Sequence, residues 1–357
     1  MMEVVVDLHC ARTMDTPVTN PNQESEVEYP DEPTDGRPGL PALVADLTKL
    51  RLNVLVLVTT AVGYVLGRVG APDFAWGLLG FTLLGTGLAA ASAAILNQVI
   101  EHVRDGRMHR TRDRPVASGR LSRSVAFIAG VGAGYAGFAV LVSTVNTTAG
   151  ALAIANVLIY VVIYTPLKPR STINTLLGAI CGAIPPMIGW VAATGQLQVG
   201  AWLIGALLFV WQLPHFFALA WMYREDYRRG GHKMLPVLDP TGRVTGQVMT
   251  STAALLVPVG LLVTVYGVSG WWSAIGVVLL GGWFTVRCVG FWRRPSDDAA
   301  RAAFLASLAY LPLVLAVMVV DRGPVSAAAW IRGGRTAAVT ESRQMPLESL
   351  PPEATGD

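Results

Sequence analysis

Cysteine, histidine and charge are all scarce in this chain. The three cysteines, Cys10, Cys181 and Cys288, have neither the pairing number of a disulfide framework nor the spacing of a metal site, so they read as small packing residues. Histidines number five and charged residues make up only 14%, against 52% hydrophobic. That balance excludes an ordinary soluble domain, and no nucleic-acid partner is expected of it.

What is abundant is long apolar sequence. Nine windows, at residues 50–67, 74–96, 124–142, 148–164, 175–193, 201–221, 248–266, 271–289 and 302–320, each approach or exceed the length a helix needs to cross a bilayer at ~1.5 Å rise per residue. Their Gly, Ala and Ser content suits close helix packing in lipid. The expected fold class is therefore all-α, a polytopic membrane bundle of nine transmembrane helices. Lys and Arg collect in alternate connections: Arg104 to Arg123 after the second window, Lys168 and Arg170 after the fourth, Arg224 to Arg243 after the sixth, Arg293 and Arg294 after the eighth. The intervening connections carry none beyond Arg68 at the edge of the first. By the positive-inside rule the N-terminus is cytoplasmic and the C-terminus outside. Residues 1–40, polar and acidic without the order of a cleaved signal peptide, are expected to be a disordered tail; 41–322 form the membrane domain and 323–357 a C-terminal tail.

Three stretches interrupt the apolar pattern. In "NQVIEHVRDGRMHRT", Asn97, Glu101 and Asp105 recur every four residues, within an arc of about 80° on one helix face. Oxygen ligands on one face at the membrane boundary suit Mg²⁺, which takes one or two carboxylates plus substrate phosphate oxygens. Pairing of the two acids with Arg104, Arg107 or Arg110 on a solvated helix end is the competing reading. In "WQLPHFFALAWMYREDYRRGGHKMLPV", Glu225 and Asp226 sit among Arg224, Arg228, Arg229 and Lys233, a second acid-plus-base cluster on the same membrane face. His215 lies within that apolar span, either as a functional group or as a neutral imidazole bonded to a neighbour such as Gln212. In "YTPLKPRSTINTLLGAICGAIPPMIGW", Lys168 and Arg170 read either as phosphate contacts or as an ordinary basic loop, and Pro185 and Pro186 predict a break in the helix.

Together these three motifs resemble the protoheme IX farnesyltransferase (heme O synthase) family of the UbiA-type intramembrane prenyltransferase superfamily, over roughly residues 50–320. The resemblance implies a nine-helix bundle around a central chamber. It also implies transfer of a farnesyl group from farnesyl diphosphate to a vinyl group of heme B, with water added and diphosphate released, giving heme O. Asn97, Glu101 and Asp105 match the family's metal and diphosphate motif, with Arg110 and Arg114 its basic continuation; Glu101 stands where many bacterial relatives have Asp. Glu225 and Asp226 fall at the superfamily's second acidic motif, although Tyr223 and Tyr227 replace carboxylates there. Lys168, Arg170, Arg228 and Lys233 complete the expected diphosphate set, Asp226 joins Asn97, Glu101 and Asp105 as expected catalytic residues, and "PHFFALAW" makes His215 the candidate heme contact. Mg²⁺ is the expected metal, with Mn²⁺ the alternative. The expected setting is the cell membrane, with heme A synthase and a terminal oxidase as partners. A sister prenyltransferase acting on an aromatic or quinone precursor shares the bundle and first motif. A transporter is the alternative of another class.

Overall fold

The structure, a computed structural model, describes residues 39–68 and 74–323; the expectations for both tails and for the connection at 69–73 lie outside them. Twelve helices are named here: α1 (Leu40–Thr48), α2 (Leu50–Gly67), α3 (Trp76–Asp105), α4 (Arg123–Thr144), α5 (Thr147–Leu167), α6 (Asn174–Thr194), α7 (Val199–Met222), α8 (Arg224–Arg229), α9 (Leu235–Leu238), α10 (Arg243–Val265), α11 (Trp271–Arg293) and α12 (Asp297–Val320). Among the described residues nine of them, all but α1, α8 and α9, are long and apolar enough to cross a membrane, and the only β-pairing is an isolated bridge between Ser269 and Arg322.

Several helices run past the apolar windows because polar caps extend them. α12 starts five residues early, with Ser296 Oγ accepting the Ala299 N–H at 3.1 Å. α10 likewise begins at Arg243, where Asp239 Oδ2 accepts the Thr245 N–H at 2.8 Å. α3 has 30 residues, roughly 45 Å of helix against a hydrocarbon core of about 30 Å. Its last turns, which carry Asn97, Glu101 and Asp105, therefore project beyond the membrane core.

α6 and α7 are the most buried of the spanning helices. α6 packs on α2 and α7, while α7 packs on α10 and α12; α3 and α4 pair, and α12 meets α2. The expected break at Pro185 and Pro186 does not occur: α6 is helical through both. Proline's φ is compatible with a helix, so each ring removes one donor without ending the element, and neighbouring helices hold it in place. The α2–α6 crossing is made backbone to backbone. A Cβ on Gly189 would collide with the Thr60 carbonyl oxygen, and one on Gly63 with the Pro186 carbonyl. Only glycine permits that approach.

α5 contains a π-helical turn, Ile159–Tyr164. At its end the Tyr160 carbonyl accepts both the Thr165 N–H and, at 2.8 Å, the Thr165 hydroxyl. Such turns often mark functional positions.

Candidate functional site

A cavity of about 650 Å³ opens at the end of the bundle where α3 projects. Asn97, Glu101 and Asp105 all line it and all are buried, so the predicted shared helix face is present and turned inward. Neither carboxylate uses the bases proposed for a solvated helix end. Glu101 Oε2 accepts from Lys168 Nζ at 2.8 Å and from Asn97 Nδ2 at 2.7 Å. Asp105 receives both of its bonds from Arg114 Nη1, at 2.8 and 2.9 Å. These pairs span loops and helices, which is why spacing along α3 alone did not reveal them.

Lys49 completes the cluster and was not singled out from sequence. It sits between α1 and α2 with φ 49°, the single described non-glycine residue in the left-handed region, and that turn brings Nζ to 3.1 Å from Asn97 Oδ1. Burial, reinforced by the charges of Arg114 and Lys168, holds the Lys49 ammonium well below the usual lysine range. For Lys168 burial acts in the same direction, but the adjacent Glu101 carboxylate outweighs it and holds that ammonium above its ordinary value. Of Lys49, Lys168 and Arg114, Lys49 is the one whose side chain bonds a neutral partner, so an incoming anion would meet it without a competing carboxylate and would favour its charged form.

The wall beside this cluster comes from α5. Asn156, Tyr160, Tyr164 and Lys168 all line the cavity, spaced every four residues through the π turn. The two tyrosine rings lie 5.0 Å apart, and Lys168 Nζ stands 4.6 Å from the Tyr164 ring centre. Farther in, Ala90, Ala93 and Ala94 of α3 keep space open opposite Leu208, Trp211, Phe216, Phe304 and Leu311. A charged mouth thus leads into an apolar, aromatic interior, the shape and polarity of a site for an anionic head on a hydrocarbon chain.

The recognition pattern of the UbiA prenyltransferase family matches residues 56–309. The chain belongs to the UbiA prenyltransferase family. A protoheme IX farnesyltransferase of Solibacter usitatus is 40% identical over 284 residues, covering 78% of this chain and 97% of that protein. Among solved structures, a digeranylgeranylglyceryl phosphate synthase superposes with a TM-score of 0.67 at 15% identity, covering 78% of this chain and 97% of the other. A UbiA homolog from Archaeoglobus fulgidus bound to GPP and Mg²⁺ gives 0.55 at 14% identity, covering 77% and 99%. Both share the fold of this multi-pass prenyltransferase.

The second acidic cluster of the prenyltransferase differs from expectation. Across α8 and its capping residue Tyr223 the helical period turns Tyr223, Asp226 and Tyr227 inward and Glu225, Arg228 and Arg229 outward. Glu225 is exposed and pairs with Arg228 at 3.2 Å; neither lines the cavity. Asp226 also lies outside the lining, with its oxygens 3.4 Å from the backbone nitrogens of His109 and Arg110. The expected metal pair Glu225 and Asp226 is thus split between solvent and a loop contact. The two tyrosines at carboxylate positions hold Arg110: its guanidinium lies 5.0 and 5.5 Å from the Tyr223 and Tyr227 ring centres and donates to the Tyr227 hydroxyl at 3.2 Å. Arg110 lines the cavity mouth. Arg170 and Lys233 are exposed and outside the lining; Lys233 contributes its backbone instead, its N–H donating to the Lys168 carbonyl at 2.8 Å.

His232, the residue before Lys233, is buried, lines the cavity and has an unpartnered Nδ1. Burial lowers its pKa to about 4, so it is neutral at neutral pH. His215 lines the cavity deeper in. Its partner is not Gln212, whose amide donates to the Ala179 and Leu208 carbonyls at 3.2 and 3.1 Å. Nδ1 instead lies 2.7 Å from Ser307 Oγ on α12.

Proposed function

We propose that this prenyltransferase joins the farnesyl group of farnesyl diphosphate to a vinyl group of heme B and so forms heme O. The allylic C1–O bond breaks, and diphosphate leaves with the electron pair. A new C–C bond forms between farnesyl C1 and the terminal vinyl carbon. Water then adds its oxygen to the inner vinyl carbon, one hydrogen staying on the new hydroxyl and the other passing as a proton to solvent or diphosphate. The observation that carries this reading is the continuity of the Lys49–Asn97–Glu101–Lys168–Arg114 mouth with an apolar chamber containing His215; the relatives named protoheme IX farnesyltransferase support the substrates.

Asn97, Glu101 and Asp105 fit a hard cation. Glu101 Oε1 is buried without a partner, and each carboxylate oxygen retains lone pairs beyond those its bases occupy. Among the described residues no three His, Cys, Asp or Glu side chains gather into a closed metal site, which suits a Mg²⁺, or alternatively Mn²⁺, that shares its coordination with diphosphate oxygens. When bound, the metal would neutralise charge building on the leaving group. Lys49, Lys168, Arg114 and Arg110 do the same from the protein side. Tyr160 and Tyr164 sit where the allylic cation would develop, and the apolar walls behind them delay its capture by water. Asp226 is assigned the shaping of the loop that carries Arg110.

We place the protein in the cell membrane, with its site facing the cytoplasm, the N-terminus inside and the C-terminus outside, because the basic connections share the end where the cavity opens. Heme A synthase and a terminal oxidase are the consumers this product implies. The test is an assay of purified protein in detergent with heme B, farnesyl diphosphate and Mg²⁺, read by mass spectrometry of the extracted heme beside Asp105→Asn and a metal-free control. Heme O from the wild type with metal alone supports the reading. Prenylation of an added aromatic or quinone precursor, with heme left intact, overturns the acceptor and keeps the fold.

A further inference from the structure

Ser307 has one hydroxyl proton and two neighbours that compete for it. Its Oγ is 2.5 Å from the Phe304 carbonyl oxygen and 2.7 Å from His215 Nδ1. Two oxygens at 2.5 Å need a proton between them, since otherwise lone pair faces lone pair. The carbonyl cannot supply one, so Ser307 donates to Phe304 and turns a lone pair toward His215. Nδ1 must therefore be the donor of that bond. A neutral imidazole carries a single N–H, which leaves Nε2 with a bare lone pair.

The ring cannot turn away from that direction. It is stacked between Trp211 and Phe304, at 4.8 and 4.9 Å between centres with interplanar angles of 20° and 26°. Trp211 is fixed in turn, since its Nε1 donates to the Ser307 carbonyl at 2.9 Å. Among the described residues no group bonds Nε2, and His215 lines the cavity. A histidine held on both faces, donating from one nitrogen to a fixed oxygen and offering the other nitrogen to an open chamber, is the arrangement found behind metal-bound imidazoles.

We propose that Ser307 is a positioning residue that holds His215 in the Nδ1–H tautomer, so that Nε2 takes the iron of the porphyrin substrate as an axial ligand. The inference rests on heme B being the acceptor. The other use of a bare Nε2, removal of a proton from water, requires an imidazolium in the product state. Here the hydrogen-bond partner is a neutral serine hydroxyl rather than a carboxylate, and the surroundings are aromatic, so a charged ring would have no compensation; iron binds the neutral ring.

Heme B is titrated into purified protein in detergent, without farnesyl diphosphate, and followed by absorption and, after reduction, by resonance Raman spectroscopy. The wild type is expected to show an iron–histidine stretch that disappears in His215→Gly and returns when imidazole is added. Ser307→Ala should move that stretch to lower frequency and weaken heme binding by roughly 10–100-fold, and Ser307→Thr, which keeps the hydroxyl, should restore both. Absence of the stretch in the wild type, an unchanged spectrum in His215→Gly, or an unshifted stretch in Ser307→Ala each overturns the proposal. Heme O production by a wild type lacking the stretch would sink the ligation and leave the function standing; a wild type with the stretch that yields no heme O would do the reverse.

Discussion

Replacing Lys168 with Met leaves the Glu101 carboxylate buried with only amide and unpaired faces around it. The two side chains are 14% and 3% exposed, with Nζ and Oε2 2.8 Å apart. At an effective dielectric near 20, unit charges at that separation attract by about 6 kcal/mol. Most of this is offset by the loss of hydration, so the pair adds little net stability over an uncharged pair of similar shape. Removing one partner is another matter: an uncompensated buried charge costs about 3–5 kcal/mol, or roughly 6–10 °C in the unfolding midpoint for a domain of this size. Glu101→Gln strands the Lys168 ammonium, with a smaller expected loss because that side chain is the more exposed of the two. The double variant removes both charges and should recover most of the loss, with a coupling of about 2–4 kcal/mol. Thermal denaturation of the four proteins in one detergent, at one pH and salt, reads the cycle directly. Losses in the singles that simply add in the double would show that the contact carries no coupling and that the site is more hydrated than its burial indicates.

Asp105→Asn should retain its contact with Arg114 but lose a full charge beside the diphosphate, lowering heme O formation by about 10²–10³-fold with a modest change in melting; a rate within a factor of a few of wild type would remove Asp105 from the site. Chelation of divalent ions should suppress turnover, and added Mg²⁺ should restore it; turnover unaffected by chelator would rule out the cation. His232 binds its proton at a pKa of about 4 in the fold against about 6.5 unfolded. The unfolded chain thus holds more protons between those values, and stability should fall as pH drops from about 6.5 toward 4 and level off below. Midpoints measured against pH for wild type and His232→Gln would check this, an equal slope in both refuting it. Gly189→Ala should destabilise by at least about 1–3 kcal/mol, since a methyl there meets the Thr60 backbone; a neutral effect on the melting temperature would mean that the α2–α6 crossing is looser than described.

Features set by runs of neighbouring residues were legible before any coordinates. The nine spans follow from apolar length, and the Asn97, Glu101, Asp105 stripe follows from the helical period, so both survive intact. The fifth span, with its two prolines, was misjudged because a break rule treats each ring alone, while α6 is held by its neighbours. Pairings across the fold were hidden for a different reason. His215 bonds Ser307, 92 positions away, rather than Gln212 three positions away, and Lys49 enters the site through a left-handed turn that no glycine announces. The π turn that aligns Tyr160 and Tyr164 likewise depends on Thr165 reaching back to one carbonyl, a local event with no periodic signature. At the second acidic cluster composition was read correctly but orientation was not: one helical turn divides its charges between solvent and a loop contact.

The glycine contacts between α2 and α6 bear on how a rigid, flat macrocycle gets in and out. Where main chain touches main chain there is no rotamer to swing aside, so that side of the chamber acts as a fixed jamb. Passage must be granted by walls built of long side chains, such as Leu208, Phe216 and Leu219 of α7 and Leu311 of α12, which can fold back without parting two backbones. Admission and release of substrate would then resemble a door hung on one stiff post.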